Sequence, residues 1–147
     1  MKILLIEDDD FKSADIITFL YTSGFKDVDL ATSYKSGVRM AKATNYDFMI
    51  VDMTLPKYTD ERGAGKGSMP TGGEILINAI LDMDIYVKCV VLTQYDSFEG
   101  ENMAMIDQRL KTSCSEIYMG YIKYSTSEES WKNNLLNCIQ DAVHINH

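Results

Sequence analysis

The chain has 147 residues, of which 46% are hydrophobic and 24% are charged, and its net charge is −8. This length suits one domain with one core, and the acidic balance argues against a broad nucleic-acid surface, which requires a basic patch. No apolar stretch is long enough to cross a membrane. Three cysteines without paired spacing and only two histidines predict reduced thiols in a cytoplasmic protein, with no zinc site.

The first predicted strand and helix meet at an acidic sequence. A short apolar run, Lys2–Ile6, is followed at once by four acids at 7–10. Asp9 or Asp10 is predicted to cap the next helix, because acids favour helix N-termini. The helical spacing of that segment predicts an inward face made of Phe11, Ala14, Ile17 and Leu20.

The third predicted strand carries the first candidate for chemistry. A weak strand at Val28–Ala31 precedes it, with Thr32 or Ser33 as the cap of a second helix. Phe48–Val51 is short, apolar and β-branched, which is typical of a strand buried on both faces. It ends in Asp52, and ligands of open parallel sheets gather outside the carboxyl ends of the strands.

The centre of the chain breaks the pattern. Residues 57–72 are polar and rich in glycine, which predicts a long mobile loop inserted after the third strand. A third helix is predicted from about Gly73. The fourth strand, Val87–Leu92, is again β-branched and apolar, and it ends at Thr93.

The last third of the chain predicts two helices and a strand. The polar region from Asp96 to about Thr112 has apolar residues at helical spacing, and a fifth strand, Ile117–Tyr124, contains Lys123. Thr126 and Glu129 form a capping-box pattern before the final helix. One face of that helix is predicted to contain Trp131, Leu135, Cys138, Ile139 and Ala142.

Strands that alternate with helices in this way predict an α/β fold with a doubly wound, five-stranded parallel sheet and helices on both faces. The expected strand order is the flavodoxin-like 2-1-3-4-5, whose switch point lies between strands one and three. The whole chain, 1–147, is expected to be one domain with no separate output domain. Glu7 and Asp8 end the first strand and Asp52 ends the third, so all three are expected at the switch point.

These strand ends predict a phosphoryl and metal site. Bare carboxylates at one point would repel each other, and a hard divalent cation resolves the repulsion. We therefore expect Glu7, Asp8 and Asp52 to bind Mg²⁺. Thr93 and Lys123 would supply the hydroxyl and the ammonium that a phosphoryl group requires, and Asp52 is either a metal ligand only or the nucleophile.

Four motifs in this order resemble those of a bacterial response-regulator receiver domain. They are Ile3–Asp8, Asp47–Pro56, Val90–Thr93 and Tyr121–Lys123. The resemblance covers nearly the whole chain, and extended receivers of this kind occur without an output domain.

The resemblance implies a regulatory phosphoacceptor domain rather than an enzyme, with self-catalysed phosphotransfer and dephosphorylation at most. Asp52 would accept a phosphoryl group from a histidine kinase or phosphotransfer protein, and Thr93 and Lys123 would contact its oxygens. The backbone carbonyl of Thr54 would join Glu7, Asp8 and Asp52 around Mg²⁺. A downstream protein would be the partner, without nucleic acid or membrane, and homodimerisation is left open.

Three departures from the family favour an alternative. The loop at 57–72 is longer than usual, Gln94 stands where a small residue is usual, and Tyr124 stands where the family has proline. They leave open a pseudo-receiver, an interaction module that does not undergo phosphotransfer. A third alternative is an aspartyl phosphatase of the haloacid-dehalogenase type, but such enzymes need a second aspartate at the position of Thr54.

Overall fold

A computed structural model describes residues 1–59 and 67–145 of the chain. In chain order the strands are β1 (Lys2–Ile6), β2 (Asp27–Ala31), β3 (Phe48–Val51), β4 (Leu55–Pro56), β5 (Ser68–Met69), β6 (Lys88–Thr93), β7 (Ser97–Phe98), β8 (Glu101–Asn102) and β9 (Tyr118–Lys123). The helices are α1 (Asp10–Thr22), α2 (Tyr34–Ala43), α3 (Gly72–Asp82), α4 (Met103–Ser113) and α5 (Ser130–Ile145). None of these helices is long and apolar enough to cross a membrane.

The central sheet confirms the predicted fold. Its strand order is β2-β1-β3-β6-β9, and all four pairings are parallel. The sheet therefore has the 2-1-3-4-5 order of a doubly wound fold, and its switch point lies between β1 and β3. Ile6 is in register with Val51, so the residues that follow these two strands emerge side by side.

Both faces of the sheet are covered, which explains the continuous apolar runs in the sequence. Along β1, Leu4 and Ile6 belong to the core layer that includes α2, α3 and α4. Ile3 and Leu5 point the other way and pack in the layer that includes α1 and α5. The site at the strand ends is thus supported by two separate packed layers.

The predicted inward face of helix α1 is wrong in part. Of the predicted face, Phe11 is 69% exposed and Ala14 is also exposed, whereas Leu20 is buried as expected. The residues that α1 buries are Lys12, Ser13, Ile16 and Leu20. The prediction failed because hydrophobic periodicity places a lysine outside, and here the lysine side chain is directed at carboxylates beneath the helix. The predicted cap is confirmed: Asp9 accepts a hydrogen bond from the Lys12 amide at 2.8 Å.

The predicted loop at 57–72 contains one strand of a short ladder, β5, whose partner β4 comes directly before the loop. Leu55 of β4 pairs with Met69 of β5 in antiparallel fashion, and Pro56 pairs with Ser68. Residues 60–66 of the predicted loop lie outside the described residues.

A hairpin precedes α4 where the sequence predicted a helix from Asp96. Strands β7 and β8 are joined by Glu99 and Gly100, both with positive φ, as a two-residue hairpin turn requires. Asn102 then caps α4 by accepting a hydrogen bond from the Met105 amide at 2.9 Å. The helix therefore begins only at Met103.

The final helix packs as predicted. Trp131, Leu135, Ile139 and Ala142 are buried on one face of α5, and Cys138 is partly buried beside them. This face covers the side of the sheet that also carries α1, so Trp131 lies in the layer beneath the strand ends.

Candidate functional site

Three carboxylates converge at the switch point. Glu7 and Asp8 follow β1 and Asp52 follows β3, and each offers a carboxylate oxygen within 4.8 Å of the others. Backbone hydrogen bonds extend past the strand ends: Asp52 N donates to Ile6 O at 3.0 Å, and Glu7 N donates to Ala31 O at 2.9 Å. The parallel pairing of β1 with its neighbours therefore positions the acids.

These acids form one wall of an open cleft of about 580 Å³. The cleft contains four consecutive acids, one lysine and the residues that follow β3 and β6. Its lining residues are Glu7, Asp8, Asp9, Asp10, Lys12, Asp52, Thr54, Gln94 and Tyr95.

Lys12 reaches into the acid cluster from α1. Its Nζ lies 2.7 Å from Glu7 Oε1, 3.0 Å from Asp52 Oδ1 and 2.6 Å from the carbonyl oxygen of Leu92. An ammonium has three N–H donors, so these three acceptors use all of them. The side chain is only 3% exposed, and the three acceptors hold it in one orientation.

The charges of this cluster shift each other's pKa values. Burial raises the pKa of Glu7 and the negative charge of Asp52 raises it further, while Lys12 opposes both. Burial by itself would lower the pKa of Lys12, but the charges of Asp52 and Glu7 outweigh it and the net shift is upward. Lys12 is therefore the positive charge that allows two carboxylates to share this buried place.

Asp52 is held in a fixed direction. Its Oδ1 accepts hydrogen bonds from Lys12 Nζ and from the Met53 amide, the latter at 2.9 Å. Within residues 1–59 and 67–145, both of its hydrogen bonds go to Oδ1. The second oxygen, Oδ2, is therefore the one that this arrangement leaves for a ligand.

The aromatic ring of Tyr124 packs against the ammonium of Lys12. The Lys12 Nζ lies 5.5 Å from the centre of its ring, a distance at which a cation is attracted by an aromatic face. The Tyr124 hydroxyl donates to Asp15 Oδ2 at 2.7 Å, and the ring packs at 5.2 Å from Trp131. A chain of contacts thus joins Asp52, Lys12, Tyr124 and the single tryptophan.

Helix α3 approaches the loop after β3 very closely. Gly73 N donates to Met53 O at 2.7 Å. A Cβ on Gly73 would collide with the carbonyl oxygen of Asp52 and would lie 2.9 Å from the Met53 Cα. Nearby, the Thr54 hydroxyl donates to Pro70 O at 3.0 Å. Contacts from α3 and from the segment before it therefore fix the backbone around Asp52.

Thr93 and Lys123 do not join the acids in this conformation. Thr93 is buried at the end of β6, and its Oγ1 accepts a hydrogen bond from the Tyr95 amide at 3.3 Å. Lys123 is 46% exposed, and its Nζ lies 2.8 Å from Asp96 Oδ1. The structure thus brings Glu7, Asp8, Asp52 and Thr54 to the cleft but leaves Lys123 on the surface.

Two relatives at low identity match almost the whole chain. It is 27% identical over 145 residues to an uncharacterised protein, y4jR, of Sinorhizobium fredii, covering 93% of this chain and 95% of that one. It is 25% identical over 149 residues to the Detocs response regulatory protein DtcB of Enterobacter cloacae, covering 96% and 99%. No family model matches the chain.

Solved receiver domains of response regulators share the fold along at least 95% of the chain, at 20% identity or less. The fold is that of a response-regulator receiver domain. Among similar structures is a response regulator protein of Burkholderia pseudomallei with a phosphorylated aspartic acid, a calcium ion and citrate. Its TM-score is 0.64 at 18% identity, and the match covers 99% of this chain and 70% of that one.

Compared with the receiver pattern, the site contains one residue that sequence reasoning missed. Lys12 contacts two of the three predicted carboxylates, although the sequence pointed to Lys123 as the cation. A signal was present, since Lys12 lies four and eight residues before the buried Ile16 and Leu20 and therefore shares their helix face. The missing information was the pairing of Lys12 with Asp52, 40 residues away along the chain.

Proposed function

We propose that this chain is a phosphoacceptor receiver domain that takes a phosphoryl group on Asp52 from a histidine kinase or phosphotransfer protein and then alters its binding to a partner protein. One observation carries the proposal. Asp52 ends a central strand at the switch point of a receiver fold, beside Glu7 and Asp8, and opens into a cleft. A carboxylate in that position can act as a nucleophile toward phosphorus.

The transfer requires one bond to form and one to break. An oxygen of Asp52 forms the new O–P bond while the N–P bond of a phosphohistidine breaks. The electron pair of the broken bond leaves on the imidazole nitrogen, which then takes a proton from solvent. Because the Met53 amide and Lys12 hold Oδ1, we assign the attack to Oδ2, whose direction is thereby fixed.

The donor set at the cleft fits Mg²⁺. Three carboxylate oxygens within 4.8 Å of one another are the hard oxygen ligands that this ion prefers. Glu7, Asp8 and Asp52 would hold the ion together with the backbone carbonyl of Thr54, and the bound ion would neutralise charge on the phosphoryl oxygens. Lys12 shares two of these carboxylates and would offset their negative charge together with the ion.

The comparisons support a signalling domain with a receiver fold, and phosphotransfer to Asp52 and Mg²⁺ binding are the parts that we propose. The similar DtcB is a response regulatory protein, and the similar Burkholderia structure contains a phosphorylated aspartic acid and a calcium ion. Receiver domains are regulatory rather than enzymes in the ordinary sense. The aspartyl phosphatase alternative lacks its general acid, because Thr54 occupies that position and its hydroxyl donates to Pro70.

The pseudo-receiver remains the second candidate, and one observation favours it. The Lys12 ammonium already contacts two of the three carboxylates, Glu7 and Asp52, and offsets part of their negative charge. In that case the fold would serve as an interaction module, and Asp52 would be a structural partner of Lys12.

The experiment that separates the two candidates is adduct formation. The protein is incubated with Mg²⁺ and acetyl phosphate, and intact mass is measured together with Trp131 fluorescence after beryllofluoride. We expect a gain of one phosphoryl group in the wild type and none in Asp52→Asn. The control Asp82→Asn, which removes a charge from the exposed end of α3, should react like the wild type. An unmodified wild type that still binds Mg²⁺ would establish the pseudo-receiver.

A further inference from the structure

The lysine that contacts Asp52 is not the one that the receiver pattern predicts. Lys123 ends β9 and forms an ion pair with Asp96 at 2.8 Å on the surface. Lys12 belongs to α1 and is buried against Glu7 and Asp52. The ammonium in contact with the nucleophile therefore comes from a helix rather than from a strand end.

Lys123 and its two neighbours lie on opposite faces of β9. Side chains alternate along a strand, and both Ile122 and Tyr124 face the layer that contains α1 and α5. Lys123 therefore points to the opposite side. The amide of Tyr124 donates to Thr93 O at 2.8 Å, a bond that a proline at this position could not make, so the Tyr124 backbone is tied to β6.

Lys12 packs between the acid cluster and the ring of Tyr124. The ammonium bonds to three oxygens from three different segments of the chain, the ends of β1, β3 and β6. The Tyr124 ring lies beneath it at 5.5 Å. A lysine that served only to neutralise Glu7 would not need the second contact, to the Oδ1 atom of Asp52 itself.

We propose that Lys12 is the cation that contacts the phosphoryl group on Asp52, and that Lys123 is not required for the transfer. This inference rests on the proposed phosphoacceptor function. Before transfer Lys12 Nζ holds Oδ1. After transfer the carboxylate has become an acyl phosphate, whose negative charge lies on the phosphoryl oxygens. The ammonium, 3.0 Å from Oδ1, is within a short movement of these oxygens, and charged hydrogen bonds of this kind are strong.

The first test compares two matched variants. Lys12→Met and Lys123→Met each remove one ammonium and keep an unbranched side chain. With acetyl phosphate and Mg²⁺, we expect the rate of adduct formation to fall at least about tenfold in Lys12→Met, because an electrostatic contact to the transferred group is lost. The rate in Lys123→Met should stay within about twofold of the wild type, and Lys12→Arg should recover part of the loss.

The second test measures its signal on the wild-type protein and uses a variant only for assignment. The Nζ–H signal of a buried ammonium exchanges slowly with water and can be observed by ¹H–¹⁵N NMR, with assignment from its absence in Lys12→Arg. We expect beryllofluoride, added to protein already loaded with Mg²⁺, to shift the Lys12 signal and to leave unchanged the Cε–H signal of Lys123, whose exposed Nζ–H protons exchange too fast to observe.

The outcomes separate this inference from the function on which it rests. An adduct that forms on the wild type and on Lys12→Met at the same rate, or a beryllofluoride shift at Lys123 with none at Lys12, would overturn the role of Lys12 and leave the receiver function intact. A wild type that takes no phosphoryl group overturns the function, and the inference with it.

Discussion

Tyr124 links the acid cluster to the interior of the protein. Its ring lies between Lys12 and Trp131, and its hydroxyl bonds to Asp15 on α1. Burial and the hydrogen bond to Asp15 raise the pKa of this tyrosine, so the phenol stays protonated and remains a donor at neutral pH. At the residue scale, Tyr124 therefore ties β9 to α1 and supports the lysine from below.

Tyr124→Phe tests the hydroxyl separately from the ring. We expect the free energy of unfolding to fall by about 1 kcal/mol, because Asp15 loses its hydrogen bond, while the phenyl ring still supports Lys12 and adduct formation continues. Urea denaturation measures the change. Tyr86→Phe, whose hydroxyl makes an exposed 3.3 Å bond to Asp84, is the matched control and should have little effect. Equal stability of the wild type and Tyr124→Phe would contradict this role.

At the scale of elements, the strands of the central sheet were predictable, but the two-residue strands β4, β5, β7 and β8 were not. The inner strands β1, β3 and β6 are buried on both faces, so each is largely an apolar run, as in Phe48–Val51. The ladder β4–β5 and the hairpin β7–β8 have two residues per strand, too few to show a period. The predicted inward face of α1 was wrong because the buried Lys12 is stabilised by carboxylates that follow β1 and β3. The local sequence of α1 does not contain those contacts.

The candidate site was also predictable only in part. Glu7, Asp8 and Asp52 could be placed together because the carboxyl ends of adjacent parallel strands meet at one edge. The position of Lys123 could not be predicted, because it depends on the ion pair with its surface partner Asp96. Long-range ion pairs of this kind appear only when the elements are packed.

The N-terminus of α3 supports Asp52 from the other layer, and Gly73→Ala tests it. We expect a loss of about 1–3 kcal/mol in unfolding free energy, because the added methyl group collides with backbone atoms of Asp52 and Met53. Phosphorylation by acetyl phosphate should also slow, since the loop after β3 must shift.

Gly72→Ala is the matched control for this change. It brings the same gain in helix propensity, but its Cβ would meet the Met69 Cβ at 3.1 Å rather than the carbonyl oxygen of Asp52. We expect thermal and urea unfolding to show a smaller loss for Gly72→Ala. If Gly73→Ala is at least as stable as Gly72→Ala, the close approach of α3 does not constrain Asp52.

At the scale of the whole molecule, Asp52 lies where two packed layers meet. One layer reaches it through Lys12, Tyr124 and Trp131, and the other through Gly73 and Met53. A charge added at Asp52 would act on both layers at once, because each contacts the residue or its backbone directly. This arrangement suits a domain in which a local modification alters a distant surface.

The rates at which the thiols of Cys89 and Cys138 are labelled can show whether the two layers stay packed. Cys89 lies in β6 and is fully buried, whereas Cys138 on α5 is partly buried. Burial raises the pKa of Cys138 to about 11 and raises that of Cys89 as well. Both thiols are therefore protonated at pH 8, and because the thiolate is the nucleophile, we expect slow labelling of the native protein by an aromatic disulfide reagent.

The two thiols should nevertheless report different events. Cys138 should react first, and its rate should rise as the pH approaches its raised pKa, because a growing fraction is then thiolate. Cys89 should react only as fast as the sheet opens, so its labelling should accelerate in urea in parallel with global unfolding. Peptide mass mapping after timed labelling distinguishes the sites, with Cys138→Ala as the control. Labelling of Cys89 as fast as Cys138 in native buffer would mean that the central sheet opens without unfolding the chain.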